Sequence, residues 1–167
     1  MPITNAYRSG PRMSLGFEGL DASSEMLRDA AARGEDMRPA MGRIKLLLVE
    51  GHERQFESKG DYFGTPWPAD SPATITRKAR EGVPSLSDTL VSRGDLQAAL
   101  SGGPGSRSRV SRGSVSVGVS TFTAIFTQGG ASGSRRGDQP ARPIVGVAAP
   151  EQEASRRILL SYLVNGR

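Results

Sequence analysis

The spacing of apolar residues changes part-way along this chain, and that change limits the folds open to it. Between residues 37 and 58, apolar side chains recur every three or four positions, as on one face of a helix. In residues 107–120, valines alternate with small or polar residues, as in a half-buried strand. Helices are followed by strands and then by a final helix. This order predicts an α+β domain, with N-terminal helices and a C-terminal helix packed on a small antiparallel β-sheet.

Boundary residues predict where the first helices begin and end. Asp21 is the expected cap of a helix that ends at Gly34, and Asp36 that of a second helix over residues 37–58. Pro39 is tolerated in the first turn of the second helix. The predicted apolar faces are Met26, Leu27, Ala30 and Ala31 on the first helix, and Met37, Met41, Ile44, Leu47, Leu48 and Phe56 on the second.

Later segments give three further helices and a hairpin. Ser71-Pro72 predicts an N-cap and first position of a helix through Arg80, and a short helix is expected at residues 96–100. The last helix starts at Pro150, with Glu151 and Glu153 favoured near its N-terminus by the helix dipole. Its predicted apolar face is Ala154, Ile158, Leu159, Tyr162 and Leu163. Antiparallel strands are expected over 107–112 and 114–120, with Gly113 near the turn or at a bulge. Residues 122–128 are expected to form a third strand or a short helix.

Turn-rich segments divide the chain. Residues 1–16 have turn residues and no periodicity, which predicts a flexible N-terminal arm before a single domain over 17–167. Residues 129–139 contain four glycines, two serines and no large apolar side chain, which predicts a mobile loop. Pro140 and Pro143 follow at once and stiffen the backbone where it re-enters the domain.

Composition argues against several kinds of site. The chain has no cysteine and one histidine, His52, so disulfides, thiolate metal sites, Cys–His pairs and multi-histidine sites are excluded. His52 lies at the edge of an apolar helical face, which favours a packed over a catalytic role. Glu50, Glu53 and Glu57 are better read as a solvated face than as cation ligands. We therefore predict no catalytic residue, cofactor or metal.

No apolar run is long enough for a membrane span, and the N-terminus lacks the apolar stretch of a signal peptide. We therefore expect a product without membrane partners that stays in the cytoplasm where it is made. Trp67, the only tryptophan, lies in a proline-rich loop and is predicted to be a structural anchor rather than a base-stacking residue.

Basic charge is concentrated in the second half of the chain. Residues 97–167 carry nine basic and three acidic residues, within a total of 22 Lys and Arg. Arginine suits interfaces because its planar fork pairs with carboxylates or phosphates. The possible DNA-facing charges of this half are Arg107, Arg109 and Arg112. A free-standing nucleic-acid-binding domain is the alternative that this charge leaves open.

Four segments, in order, resemble one family. They are FGTPWPADSPATITRK at 63–78, LVSRGDLQAAL at 90–100, FTAIFTQGG at 122–130 and QPARPIVG at 139–146. Together they resemble the phage virion morphogenesis proteins, also called tail-completion proteins, over about residues 17–165. The chain departs from the family pattern at Phe122, at Phe126-Thr127 and at Ile144-Val145.

The resemblance implies a structural subunit of the virion, made in the host cytoplasm, that forms a ring, as a hexamer, at the head-proximal end of the tail. There it would stop tail-tube polymerisation and join the tail to the neck. Expected partners are the tail-tube protein, neck or connector proteins, the sheath, and DNA passing through the lumen without sequence reading. The alternative is another neck or adaptor role. The residues expected to contact a neighbouring subunit or the tail tube are Gln128, Gly129, Arg135, Arg136, Gln139, Pro140, Arg142 and Pro143.

Overall fold

The computed structural model describes residues 19–83, 86, 88–90, 94–120, 128 and 140–167. Within these residues it has five α-helices, a single 3-10 turn and one small antiparallel sheet, which confirms the α+β class. The helices are α1 (Leu20–Glu35), α2 (Arg38–Glu57), α3 (Pro72–Arg80), α4 (Asp95–Leu100) and α5 (Ala149–Asn165). The 3-10 turn is Asp61–Phe63, and the strands are β1 (Arg109–Val110) and β2 (Val115–Ser116).

Helix α2 is the centre of the domain, because α1, α4, α5 and the hairpin all lie close to α2 or to a helix packed on it. Its buried side includes Met41, Ile44 and Phe56, as the spacing predicts. The buried side of α2 also includes two polar side chains, His52 and Gln55. The core is therefore partly polar along this helix.

The two N-terminal caps differ from those predicted. The N-cap of α1 is Gly19 in the left-handed region at φ 92°, and Asp21 lies inside the first turn. The helix also continues past Gly34 to Glu35. The N-cap of α2 is Met37, although the Asp36 carboxylate accepts from the Arg38 backbone amide at 3.2 Å and also pairs with the Arg38 guanidinium. Both predicted Asp caps are wrong by one or two positions.

The apolar face predicted for α1 is not buried. No residue of α1 is buried, and Met26 and Leu27 are 54% and 67% exposed. Helix α1 packs on α5 near its C-terminal end, where Arg33 donates to the carbonyls of Leu163 and Val164 at 2.8 and 2.9 Å. This contact caps the end of α5, whereas residues 20–29 of α1 are all exposed except Ser24.

The hairpin is confirmed but its strands are shorter than predicted. Arg109 pairs with Ser116 and Val110 with Val115, with one further bridge between Ser106 and Val119. Side chains of Ser111 and Ser114 bond to each other across the turn that contains Gly113. The predicted strand or helix at 122–128 lies outside the described residues except for Gln128. The predicted arm at 1–16 and loop at 129–139 lie outside them as well.

Two helices begin close to where local signals place them. Helix α3 has Ser71 as its N-cap, with the hydroxyl accepting from the Thr74 amide at 3.3 Å and Pro72 in the first turn. Helix α4 covers the predicted residues 96–100 and starts at Asp95.

Candidate assembly surface and its internal support

One carbonyl oxygen joins three distant segments of the chain. The Pro143 carbonyl accepts from Gln55 Nε2 of α2 at 2.8 Å and from Trp67 Nε1 at 2.9 Å. Gln55 Oε1 in turn accepts from the Phe63 amide at 2.8 Å. Gln55 is fully buried and Trp67 is 7% exposed, so both side-chain donors are largely shielded from water. We call Gln55, Trp67, Arg142, Pro143 and Ile144 the Trp67 joint.

Apolar packing surrounds the same contacts. Trp67 is 7% exposed and meets the ring of Phe56 edge-on, with 5.2 Å between centroids. Leu100 and Ile144 complete this cluster. Gly60 allows it to close, because its φ is 100° and a Cβ there would lie 2.4 Å from Trp67 Cδ1.

Arg142 uses its donors inside the subunit. Its guanidinium donates to the Pro68 carbonyl at 2.9 and 3.2 Å and to the Ala69 carbonyl at 3.1 Å. It also lies 3.3 Å from Asp70, whose other carboxylate oxygen is 2.7 Å from Lys78 Nζ. Asp70 and Lys78 are almost completely buried. The sequence suggested that the guanidinium donors of Arg142 contact a neighbouring subunit. In the structure they hold the loop before α3 against the segment at 140–143.

Gln128 also bonds within the subunit, although it is exposed. Its Oε1 accepts from the amides of Ile144 and Val145 at 2.8 and 3.0 Å, and its Nε2 donates to the Val145 carbonyl at 2.9 Å. The side chain thus bonds both donors and an acceptor of the backbone at 144–145. Gln128 and Arg142 therefore both make bonds inside the subunit that hold the segment 140–146 in place.

The remaining predicted interface residues are divided between two groups. Pro140 is exposed and Pro143 is half-buried, so this face of the stiff segment is partly open to a partner. Gly129, Arg135, Arg136 and Gln139 lie outside the described residues. Their contact with a neighbour stays a prediction.

A second polar contact ties α5 to the 3-10 turn that follows α2. The Glu151 carboxylate is buried, accepts from the Ala148 amide at 2.7 Å and bonds the hydroxyl of Tyr62. Gly51 makes room for it, since a Cβ there would lie 2.4 Å from Glu151 Oε1. Glu151 therefore joins two elements and does more than complement the helix dipole.

His52 lies in the same region and is 2% exposed. Its ring meets Phe63 edge-on at 5.9 Å, and neither ring nitrogen has a hydrogen-bond partner among the described residues. Burial lowers the pKa of His52, and the nearby Glu151 carboxylate opposes that shift in part. The geometry fits a neutral packed histidine.

Sequence reasoning missed Gln55, Asp70, Lys78 and Glu151 as supports of this region. Gln55 carried a signal, because a polar residue directly before Phe56 interrupts the buried stripe of α2. Glu151 carried another, as an acidic residue at the third position of a helix that opens with a proline. Asp70 and Lys78 had no such sequence signal, since each looks like an ordinary surface charge in the sequence.

The predicted DNA-facing arginines lie on and beside the hairpin, and all three are exposed. The Arg112 carbonyl accepts from the Met37 amide at 2.9 Å, which fixes the hairpin turn to the start of α2. Nearby, hydrogen bonds from Arg38 lower the pKa of Asp36 to about 2, with a smaller electrostatic contribution from Arg112.

A cleft of about 380 Å³ lies beside the joint. It is lined by Tyr62, Phe63, Pro143 and residues 145–149, and none of these side chains is charged. No cluster of His, Asp and Glu suited to a metal ion occurs in the part of the chain that the structure describes. Among the described helices, none has the length and apolar character needed to cross a bilayer.

The sequence model of the phage virion morphogenesis family matches residues 20–164. The chain belongs to this family. Membership gives the protein a structural role in building the phage virion, as the resemblance of its four segments implies. No curated protein and no solved structure matches the chain.

Proposed function

We propose that this protein of the phage virion morphogenesis family is a tail-completion subunit. It forms a ring at the head-proximal end of the tail, ends polymerisation of the tail tube and joins the tail to the neck. The proposal rests on family membership and on the amount of apolar surface that the isolated subunit leaves open.

The exposed apolar surface is the observation that carries the assembly part of the proposal. Large apolar side chains are about 40% exposed or more at Leu20, Met26, Leu27, Leu46, Ile75, Leu86, Val147, Leu160 and Val164. Single exposed apolar residues are ordinary, but α1 has several and buries none. A subunit of this kind buries more apolar surface when it associates with copies of itself and with other virion proteins.

The segment at 140–143, together with Gln128, is a second contact surface in this proposal, which also keeps residues 129, 135, 136 and 139 as predicted contacts. The internal bonds of Arg142 and Gln128 fix its backbone before a partner binds, so less conformational entropy is lost on assembly. Partners on this surface are a neighbouring subunit, the tail-tube protein, neck proteins or the sheath. DNA passes through the ring without base-specific contacts.

The role is structural rather than enzymatic in this proposal. The chain's single histidine is buried with a lowered pKa, and the cleft beside the joint has no charged side chain in its lining. These features support a surface for assembly over a reaction centre.

Deleting the gene from the phage tests the proposal. We expect tails of irregular length, or tails detached from heads, in electron micrographs of lysates, and recovery when the intact gene is supplied on a plasmid. Tails of normal length joined to heads after deletion would contradict the tail-completion role.

A second candidate function is nucleic-acid binding by a free-standing basic domain. The exposed positions of Arg107, Arg109 and Arg112 favour it. Tight binding of duplex DNA by a chain that never self-associates, with a steep loss in salt, would support this candidate over the ring.

A further inference from the structure

His52 is buried with its hydrogen-bonding groups unused. The side chain is 2% exposed, and neither ring nitrogen has a hydrogen-bond partner among the described residues. Unpaired polar atoms are uncommon in protein interiors, because they lose hydration and gain no bond in exchange. A rearrangement that lets solvent reach the ring recovers part of this cost. The surroundings of His52 are therefore a favoured place for the fold to open.

Two elements pack beside His52. Phe63 of the 3-10 turn meets its ring edge-on, with 5.9 Å between centroids. On α5, the buried Glu151 lies against Gly51, where a Cβ would be 2.4 Å from Glu151 Oε1. The Glu151 carboxylate is the charge of this cluster that acts on the His52 ring. Its oxygens already bond the Ala148 amide and the Tyr62 hydroxyl.

The other titratable groups near His52 are neutral or lie toward the surface. Burial, together with the bond to Glu151, raises the pKa of Tyr62 above its ordinary value of 10, so this hydroxyl keeps its proton near neutral pH. The charged side chains of the 3-10 turn and of α2 near His52 are exposed or half-buried: Glu50, Glu53, Arg54, Glu57 and Asp61. A proton on His52 would thus place a second buried charge beside Glu151.

Helix α5 is held differently at its two ends. Near its C-terminus, the Tyr162 hydroxyl donates to the Asp36 carbonyl at 2.9 Å, and Arg33 donates to two carbonyls of the last turn. At its N-terminus, the bond between Glu151 and Tyr62 is the one hydrogen bond to another element within the part of the chain that the structure describes. The first turn of α5 can therefore move while the contacts at the other end persist.

We propose that protonation of His52 draws the Glu151 carboxylate away from Ala148 and Tyr62 and frays the first turn of α5. The imidazolium takes its proton from solvent and competes for the carboxylate that caps this helix. Loss of the cap leaves the Ala148 amide without its acceptor, which weakens the start of the helix. Solvent enters through the adjoining cleft, which Ala148 and Ala149 line.

The frayed state changes the surface of the subunit. Movement of residues 148–149 widens the cleft and exposes more of Tyr62 and Phe63, which form its opposite wall. The cleft thus becomes a larger apolar surface at acidic pH than at neutral pH. The inference concerns a single subunit, so it does not depend on the proposed ring.

The single histidine of the chain makes a direct test possible. In NMR spectra of the full chain, we expect the ring C–H resonances of His52 to titrate with a midpoint below 6.5. The amides of Ala148 and Gln152 should lose hydrogen-exchange protection, corrected for intrinsic rates, by about five- to tenfold between pH 7.5 and 5.5, because the frayed turn binds the proton more tightly than the closed one. Protection around Tyr162 should change by less than about twofold.

Two substitutions separate His52 from Glu151. His52→Gln takes up no proton in this range and should abolish the pH dependence of protection. Glu151→Gln keeps an oxygen acceptor for the Ala148 amide but removes the charge that favours the imidazolium, so the His52 midpoint should fall further. Glu57→Gln is the matched control, because it removes a carboxylate at an exposed position of α2 and should leave the midpoint unchanged.

Three results would overturn the proposal. The first is titration of His52 with constant protection at Ala148 and Gln152. The second is the same loss of protection in His52→Gln, which would assign the change to another group. The third is an equal loss throughout α2 and α5, which would indicate global unfolding. The first and third are read on the unaltered chain, so they decide even where a variant fails to fold, and none of the three bears on tail assembly.

Discussion

The Trp67 joint and the first half of α1 are built in opposite ways. In the joint, Gln55 and Trp67 are buried and their side-chain donors meet the same carbonyl of Pro143. In the first half of α1, leucines and carboxylates face outward with no neighbour among the described residues. The difference suggests a division of labour, in which the joint specifies the fold of one subunit and α1 depends on its neighbours.

Truncation of Trp67 gives the largest expected loss of stability. Trp67→Ala removes a 7%-exposed ring from the core and should lower the free energy of unfolding by about 3–5 kcal/mol. Urea denaturation followed by circular dichroism measures it. Trp67→Phe, which keeps a ring but loses the hydrogen bond to Pro143, should cost less. Unchanged stability with loss of DNA binding in Trp67→Ala would instead support base stacking.

Arg142→Ala tests whether the joint is needed inside the subunit. Asp70 would keep Lys78 but lose its second cation, and two carbonyls would lose a donor, so we expect a loss of about 2 kcal/mol. Arg142→Lys should recover only part of this unfolding free energy, because an ammonium group lacks the planar fork of a guanidinium. Unchanged unfolding energy together with failed tail assembly would move the role of Arg142 to the interface.

His52 predicts how the stability of the joint region changes with pH. Because burial holds the folded-state pKa of His52 below the ordinary value of 6.5, the unfolded chain binds a proton first as pH falls. Stability from this group is complete above about pH 6.5 and declines below it, by at most about 1.4 kcal/mol per pH unit. His52→Gln should flatten the decline between pH 7 and 5.5 in urea titrations. An equal slope in that variant would show that another group is responsible.

The smallest stability effect is expected in α1. Leu27→Ser should change the unfolding energy of the dilute subunit by less than about 0.5 kcal/mol, because the side chain is 67% exposed. The same change should weaken self-association, as measured by light scattering. Leu46→Ser makes the same change at a 69%-exposed leucine of α2, and an equal loss of association there would show that the apolar contact is not confined to α1. A large loss of folding stability in Leu27→Ser would remove the contrast between the two regions.

Local chemistry explains which elements could be predicted from the sequence. Helix α3 begins where Ser71 and Pro72 place it, because an N-cap and a first-turn proline act within one turn of the chain. The stripe of α2 is predicted equally well, since its spacing reports a buried face directly. The cap of α1 was missed because Gly19 adopts a left-handed conformation that competes with capping by Asp21.

The joint could not be predicted because its contacts are remote in sequence. Gln55 reaches a carbonyl 88 residues away, and Arg142 reaches one 74 residues away. Periodicity identifies a face but not the polar partner that meets it. The exposure of α1 was missed for a related reason, because an amphipathic pattern shows that a face is suited to burial and not which molecule buries it.

The shared carbonyl of Pro143 also has a consequence for folding during synthesis. Gln55 emerges 88 residues before its partner, so at ordinary translation rates of about 5–20 residues per second it waits roughly 4–18 seconds on the ribosome. Glu151, which joins α5 to the Tyr62 hydroxyl, emerges later still. The nascent chain therefore carries α2 without the contacts that close the core until the segment at 143 and then α5 have emerged.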